Sequence, residues 1–216
     1  MAAVRHKAHT TAKQPLPVLY SIGHSTRSMD EFIDLLRTFA IQQIIDARTV
    51  PKSRRMPWFS KQQLAPLLRN RRIAYRHIKK LGGLRHSRRD SVNAGWRNAS
   101  FRGYADYMAT AEFEQGLQQL IKLAGKKRIA VMCAEAVPWR CHRSLIADAL
   151  LARDIEVRHI TSRTQAKPHR ATPFAVVDKR ADPPRVTYPP AETRATDGCP
   201  ESAPATPQIS GPRRPA

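Results

Sequence analysis

A short stretch of the chain, VMCAEAVPWRCHR at residues 131–143, concentrates side chains that can do chemistry. Thiol, carboxyl, imidazole and guanidinium groups stand side by side there, between an apolar run and a predicted helix. These groups belong to Cys133, Glu135, Arg140, Cys141, His142 and Arg143. Four explanations are open: a disulfide, ordinary packing of buried thiols, a metal site, or a turn that binds anions and activates a thiol.

The cysteine content of the chain disfavours a disulfide between Cys133 and Cys141. With Cys199 there are three cysteines, which is too few for a disulfide framework, and a reducing compartment keeps them as thiols. Ordinary packing explains both thiols, because free cysteine is among the most buried residue types. It leaves the charged residues and the histidine beside them unexplained.

A metal site needs three or four suitable ligands, and Cys133, Cys141 and His142 together with His24 could supply them. Zinc sites usually pair their ligands as C-x2-4-C or H-x3-5-H, and the gap between the two cysteines matches neither spacing. Cys141 and His142 would also point about 100° apart if both lay on a helix. The sequence therefore predicts neither a metal ion nor another cofactor.

The fourth explanation is a turn that activates a thiol. A strand that runs into a helix offers unpaired N–H groups and the positive end of the helix dipole. Cys141 near that end, with Arg140 and Arg143 beside it, would have a lowered thiol pKa. The stretch is not a phosphatase loop, because the pattern Cys-x5-Arg would require arginine where Trp139 stands. Thiol or acid–base catalysis is the favoured interpretation, with Glu135 as a general base.

The apolar pattern predicts the elements that hold these side chains. Five short apolar runs are typical of buried strands, and they lie at residues 18–23, 43–47, 73–78, 128–133 and 155–160. Helices are predicted from a cap at Ser28 to about residue 39, from Ser60 to about residue 72, over 101–124 as one or two helices, and over 142–153. This alternation predicts an α/β fold: a single domain with a mostly parallel five-stranded sheet and helices on both faces.

Polar residues follow the predicted strands at their carboxyl ends, which is where ligand-binding sites lie in open parallel sheets. His24 could shuttle a proton near neutral pH, Arg48 could clamp a phosphate or carboxylate, and a Gly-Gly pair lets backbone approach an anion. The candidate catalytic residues are Cys133, Glu135, His24 and Asp46. The candidate substrate-binding residues are Arg48, Gly82, Gly83, Arg140, Cys141, His142 and Arg143.

Positive charge is concentrated in one segment, residues 48–102, which contains 16 lysines and arginines and a single acidic residue, Asp90. Such a segment attracts phosphates, so we expect the partner to be an anionic small molecule or a nucleic acid. The candidate nucleic-acid-binding residues are Arg54, Arg55, Arg71, Arg88 and Arg89.

The two ends of the chain differ from its centre in composition. Residues 1–16 lack periodicity, and residues 163–216 contain 11 of the 17 prolines with few large apolar residues. We expect both to be disordered tails around a folded domain at 17–162, because such segments cannot offset their ordering entropy. No apolar run approaches 18 residues, so we expect a cytoplasmic protein that does not contact a membrane.

Several longer motifs resemble those of one known family. SIGHST, DARTVPKSRR, YRHIKKLGG, FRGYADYM and MCAEAVPWRCHRSLIADAL, together with Phe59 and Leu64, are similar to the bacterial and archaeal domain of unknown function 488, DUF488. The resemblance covers about residues 18–162. It implies an α/β fold and a cytosolic setting, but it implies no established activity.

Two functions fit the sequence. The first is an enzyme that acts on a phosphorylated or nucleotide-like substrate in a cleft formed by cysteine, glutamate, histidine and arginine side chains. The second is a nucleic-acid-binding module that uses the basic segment 48–102. A narrow pocket closed by Arg48, Arg140 and Arg143 would favour the enzyme, whereas a broad face of exposed arginines would favour the module. The sequence predicts no oligomeric state.

Overall fold

The computed structural model describes residues 17–191, which form one α/β domain around a six-stranded sheet. The strand order is β3-β2-β4-β1-β5-β6, and every pair is parallel except β5 with β6. The strands are β1 (Leu19–Gly23), β2 (Gln43–Asp46), β3 (Ala74–His77), β4 (Ile129–Cys133), β5 (Val157–Ile160) and β6 (Ala166–Pro168), and a separate hairpin contains β7 (Val176–Asp178) and β8 (Arg185–Thr187). The predicted mostly parallel sheet is confirmed, with one strand more than the five predicted.

Five α-helices cover the sheet within residues 17–191. They are α1 (Met29–Thr38), α2 (Lys61–Asn70), α3 (Ala99–Tyr107), α4 (Ala111–Ala124) and α5 (Arg143–Leu151). The hydroxyl of Ser28 accepts the backbone N–H of Glu31 in the first turn of α1, as predicted, and the hydroxyl of Thr110 accepts that of Phe113 in the first turn of α4. Because Thr110 caps a new helix, the region 101–124 contains two helices. Within the part of the chain that the structure describes, no helix has both the length and the apolar character needed to cross a membrane.

The alternation of side chains along the strands gives the sheet two buried faces. On β4, Val131 packs in a core with α3, α4 and α5, whereas Met132 packs in a second core with α1 and α2. Since successive residues of a strand point to opposite faces, Cys133 shares the face of Val131. By the same alternation Asp46 shares the face of Ile44, which belongs to the second core. Cys133 and Asp46 therefore lie on opposite faces of the sheet.

The folded part of the chain continues beyond residue 162. Strand β6 pairs with the edge of β5, and Tyr188, just after β8, is fully buried. The folded segment therefore continues beyond the boundary that the composition predicts, because Val186 and Tyr188 pack in the core and buried polar contacts hold the residues around them. The predicted tail at 1–16 and residues 192–216 of the other predicted tail lie outside the described residues.

Asp148 on α5 holds this extension against the core. Its carboxylate is buried and accepts hydrogen bonds from the Thr172 hydroxyl at 2.7 Å, the Tyr188 hydroxyl at 2.8 Å and Nε2 of His169 at 2.8 Å. A buried carboxylate is costly unless donors surround it, so these three contacts stabilise both the charge and the segment. One acidic side chain thus ties three points of the extension to the helix.

A chain of hydrogen bonds leads from Asp148 into the sheet. Because a carboxylate only accepts, Nε2 of His169 donates to it, and when the His169 ring is neutral its Nδ1 accepts from Nε2 of His159 at 3.0 Å. Nδ1 of His159 accepts in turn from the Ser21 hydroxyl at 2.7 Å. Burial, helped by the positive charge of Arg143, lowers the pKa of His159 to about 3. The His159 imidazole is therefore neutral at physiological pH.

We expect Asp148→Asn to lower the free energy of unfolding by about 2–4 kcal/mol, because it weakens a charge-assisted network and leaves buried donors poorly paired. Denaturant unfolding measures this change. Asp34→Asn is the matched control, since Asp34 pairs only with exposed Arg163, and it should change stability by less than about 0.5 kcal/mol. Equal effects of the two variants would contradict the anchoring role of Asp148.

We also expect acid to destabilise the protein through His159. A histidine whose folded pKa is depressed contributes stability that is fully present above the unfolded pKa of about 6.5, and this stability is lost as the pH falls toward 3. The loss approaches about 1.4 kcal/mol per pH unit for one such group. His159→Gln should reduce the slope of unfolding free energy against pH between 6.5 and 4.5, whereas His86→Gln at an exposed position should leave it unchanged. An unaltered slope in the first variant would show that His159 does not titrate in this way.

Candidate functional site

A cavity of about 320 Å³ opens at the carboxyl ends of β2 and β4. The predicted site residues that line it are Arg48, Gly83, Cys133, Glu135, Arg140, Cys141 and His142. The other predicted members do not line it and are buried in the surrounding structure; these are His24, Asp46, Gly82 and Arg143. The tertiary fold thus brings together residues from three separate parts of the chain around one small cavity.

The motif SIGHST positions the loop that carries Glu135. The backbone N–H of His24 donates to the carbonyl of Cys133 at 3.0 Å, and that of Ser25 donates to the carbonyl of Ala134 at 2.8 Å. A side chain at Gly23 would overlap the carbonyl group of Glu135, so the close approach of the two chains requires glycine there. The first strand therefore fixes where the loop after β4 leaves the sheet.

His142 presents one ring nitrogen to both thiols. Its Nε2 lies 3.0 Å from the carbonyl oxygen of Ala47, which can only accept, so Nε2 carries a proton. Nδ1, the other ring nitrogen, lies 3.7 Å from Sγ of Cys141 and 4.0 Å from Sγ of Cys133, and its lone pair faces both sulfurs when the ring is neutral. Gly83 packs against the ring so closely that a Cβ atom there would overlap it. The orientation of the imidazole is thus fixed from two sides.

Arg143 is buried beneath the cavity and is the largest of the fully buried side chains in the described part of the chain. Its guanidinium donates to Sγ of Cys141 at 3.4 Å, to the hydroxyl of Ser21 at 3.3 Å and to the carbonyl oxygen of Glu135. None of these partners is a carboxylate. A buried cation requires compensating negative charge or polar partners, and the sulfur of Cys141 is the one partner here that can ionise near neutral pH.

The two thiols have opposite pKa shifts because they lie close to each other. The neighbouring thiol of Cys133 lowers the pKa of Cys141 well below its usual range, and Arg143 acts in the same direction against desolvation. The interaction with Cys141, followed by burial, raises the pKa of Cys133.

A second polar cluster lies on the other face of the sheet. Arg48 donates to both carboxylate oxygens of Asp46, at 2.9 and 2.6 Å, and the hydroxyl of Tyr75 donates to the same carboxylate at 2.6 Å. Nε2 of His24 lies 3.3 Å from the Arg48 guanidinium, and the ring of His24 stacks on Phe59. Burial lowers the pKa of His24 to about 4, and burial followed by the Asp46 charge raises that of Tyr75. This cluster immobilises Arg48, which alone among its members lines the cavity.

The rim of the cavity carries charge that the described protein does not neutralise. Arg140 and Lys52 are exposed and line the cavity, and within residues 17–191 neither side chain forms a hydrogen bond or an ion pair. Glu135 is exposed on the same rim. Sequence reasoning did not single out Lys52, although its place in the loop after β2, four residues beyond Arg48, indicates the same edge of the sheet.

The remaining predicted arginines do not form one surface. Arg54 and Arg55 are exposed in the loop after β2, at the carboxyl edge of the sheet, and Arg89 is exposed in the loop after β3. Arg71 directly follows α2 and precedes β3, which places it at the opposite, amino-terminal edge. Arg88 forms an ion pair of 2.7 Å with Asp90. The basic segment is thus distributed over two edges of the domain.

The geometric objection to a shared cysteine and histidine centre does not hold in the structure. Helix α5 begins at Arg143, so Cys141 lies before the helix with an extended backbone, at φ −137° and ψ 143°. Cys141 and His142 are therefore not successive helical residues, and their side chains converge. The ligand atoms of Cys133, Cys141 and His142 all lie within 4.8 Å of one another.

We expect Gly83→Ala to displace the His142 ring and to lower the free energy of unfolding by about 1–3 kcal/mol, because the added methyl group overpacks a filled site. Thermal unfolding measures the stability, and the chemical shifts of His142 report its displacement. Gly125→Ala is the control, since a Cβ atom there would meet its nearest neighbour at 3.8 Å. Unchanged chemical shifts of His142 in the Gly83 variant would contradict the close packing of Gly83 against the His142 ring.

Comparison with known proteins identifies one family. The family described as Domain of unknown function DUF488 matches residues 28–150, which include the strands and loops around the cavity from β2 to α5. No curated protein and no solved structure matches the chain. The match covers more than half of the 216 residues, and it agrees with the resemblance carried by the sequence motifs. The chain belongs to the DUF488 family.

Proposed function

We propose that the protein is an enzyme that acts on a phosphorylated or nucleotide-like anion in the cavity at the carboxyl ends of β2 and β4. The observation that carries this proposal is the presence, in one cavity, of a buried thiol and imidazole cluster together with the unpaired cations Arg140 and Lys52. A volume of about 320 Å³ suits a small molecule. A nucleic acid duplex would require a far larger surface.

The rim residues supply recognition. Arg140 and Lys52 can form charge-assisted hydrogen bonds to phosphate oxygens, whereas the guanidinium of Arg48 is already paired with Asp46 and contributes positive charge beside the cavity. Val50 and Leu84 line the same cavity with 53% and 73% of their surface exposed, and they offer an apolar contact for a base or sugar. The combination fits a molecule that has one anionic end and one less polar end.

The reacting groups lie at the inner end of the cavity and on its rim. Cys133, Cys141 and His142 form the reaction centre, and Glu135 acts as a general base or holds a hydroxyl or amine of the substrate. The sequence assigned catalytic roles to His24 and Asp46 as well. We assign them instead to positioning Arg48, because neither lines the cavity and both contact its guanidinium.

A nucleic-acid-binding module is the second candidate. It is favoured by the exposed arginines Arg54, Arg55 and Arg89 at the carboxyl edge of the sheet and by Trp58, which is 37% exposed beside them. The position of Arg71 at the opposite edge and the ion pair of Arg88 reduce this surface. The enzyme is therefore the better supported of the two functions.

Ligand binding separates the two candidates. We expect nucleoside monophosphates or other small phosphoesters to raise the melting temperature of the full-length protein, and we expect Arg140→Gln to weaken the binding of the same ligand by about tenfold or more in calorimetry. The guanidinium and its charge are lost while the exposed side chain stays polar. Arg54→Gln is the control and should bind as the wild type does, because Arg54 does not line the cavity.

Turnover is tested on the same proteins. Incubation with a panel of phosphoesters, followed by mass spectrometry, should show conversion by the wild type and none by Cys141→Ser. Strong binding of single-stranded oligonucleotides that Arg54→Gln weakens and Arg140→Gln does not, with no small ligand bound, would reject the enzyme in favour of the nucleic-acid-binding module.

A further inference from the structure

We propose that Cys133, Cys141 and His142 bind a zinc ion at the inner end of the cavity. These residues are the only group of three or more potential metal ligands that converge within the described part of the chain. The sequence predicted no metal because the spacing of the ligands is unusual. Their convergence depends on the extended backbone of Cys141 and on the return of the chain to the end of β4, which the spacing does not reveal.

The distances between the ligand atoms fit a tetrahedral zinc site. Zinc bonds of about 2.3 Å to sulfur and about 2.1 Å to nitrogen, at tetrahedral angles, put each sulfur about 3.6 Å from the nitrogen. Nδ1 of His142 lies 3.7 Å from Sγ of Cys141 and 4.0 Å from Sγ of Cys133. Small rotations of the two side chains would therefore bring all three atoms to bonding distance.

The surroundings of His142 are those of a metal ligand. Ligating histidines typically donate their second ring nitrogen to a carbonyl or carboxylate, which fixes the tautomer and aims the other nitrogen at the ion. Nε2 of His142 makes this contact with the carbonyl oxygen of Ala47 at 3.0 Å. The ring is also held by Gly83, so that Nδ1 already faces the two sulfurs.

The chemistry of the ligands selects the ion. Two thiolates and one imidazole are soft and borderline donors that favour zinc over magnesium or calcium. Two thiolates neutralise the charge of a divalent cation, and Arg143 donates to Sγ of Cys141 from the side away from the cavity. Because all three ligands line the cavity, the fourth coordination position would face it. Three protein ligands with one open position are typical of catalytic rather than structural zinc sites.

This inference deepens the proposed function, because an ion with an open position can activate a water molecule or polarise a phosphoryl oxygen of the bound anion. Arg140 and Lys52 on the rim would hold the same anion. Zinc binding is measurable without any substrate. Loss of anion binding in Arg140→Gln and loss of zinc binding in a ligand variant are therefore independent results.

The test uses the full-length protein, reduced and stripped of metal with a chelator. Zinc is titrated in competition with a chromophoric chelator, and cobalt(II) is titrated as a spectroscopic probe of ligand type. We expect one zinc per chain with a dissociation constant below about 1 μM, and a cobalt spectrum with thiolate charge-transfer bands and tetrahedral d–d intensity. Cys133→Ser, Cys141→Ser and His142→Gln should each weaken zinc binding by about 100-fold or more, because each removes a direct ligand.

Cys199→Ser and Arg140→Gln are the controls and should bind zinc as the wild type does, since neither residue is a proposed ligand. The cobalt spectrum of the wild type decides the outcome even if a ligand variant fails to fold. Absence of thiolate charge-transfer bands, or zinc binding that survives in all three folded ligand variants, would overturn the proposed site.

Discussion

The buried guanidinium of Arg143 is the interaction on which the candidate site depends. It stands at the start of α5, and it contacts β1 through Ser21, the loop after β4 through the Glu135 carbonyl, and the thiol centre through Cys141. An arginine is always charged, so its burial at 2% exposure demands a polar environment on every side. Cys141, whose pKa is lowered by the neighbouring thiol of Cys133, lies beside the guanidinium and meets that demand.

Arg143 is also one end of a buried polar network that runs to Asp148. Ser21 accepts from Arg143 and donates to His159, and the chain continues through His169 to Asp148. Each member has a single possible direction of donation when both imidazoles are neutral. The network therefore holds β1, β5, α5 and the segment after residue 162 in one arrangement, and the geometry of the thiol centre is coupled to the packing of that segment.

The sheet divides the polar residues of the site between its two faces. The Asp46 carboxylate, with Tyr75 and His24, stabilises Arg48 on the side of α1 and α2, whereas the thiols and His142 lie on the side of α3, α4 and α5. Arg48 reaches the cavity from the first side. The two faces therefore have different roles. Side chains on one face fix the position of the Arg48 guanidinium, and side chains on the other bring together the thiols and the imidazole that can bind a ligand or a metal ion.

The sequence by itself determined the α/β class, the five parallel strands, the cap of α1 at Ser28 and the sheet edge at which the polar residues meet, whereas Ser60, predicted to cap α2, precedes that helix without a side-chain hydrogen bond to it. These features follow from local periodicity and from the rule that parallel strands end at a common edge, and both can be read without knowing which strands are neighbours. The candidate residues from Arg48 to His142 at the cavity were found in this way.

Only the tertiary structure decided how those residues are grouped. The one-residue alternation on β2 and β4 put Asp46 and Cys133 on opposite faces, and the late start of α5 let Cys141 and His142 converge. The sequence also placed the end of the domain before β6, because the segment beyond residue 162 is held by hydrogen bonds to Asp148 and by a few separate core residues such as Val186, without a periodic apolar pattern. Such contacts join residues far apart in the chain, and no local pattern records them.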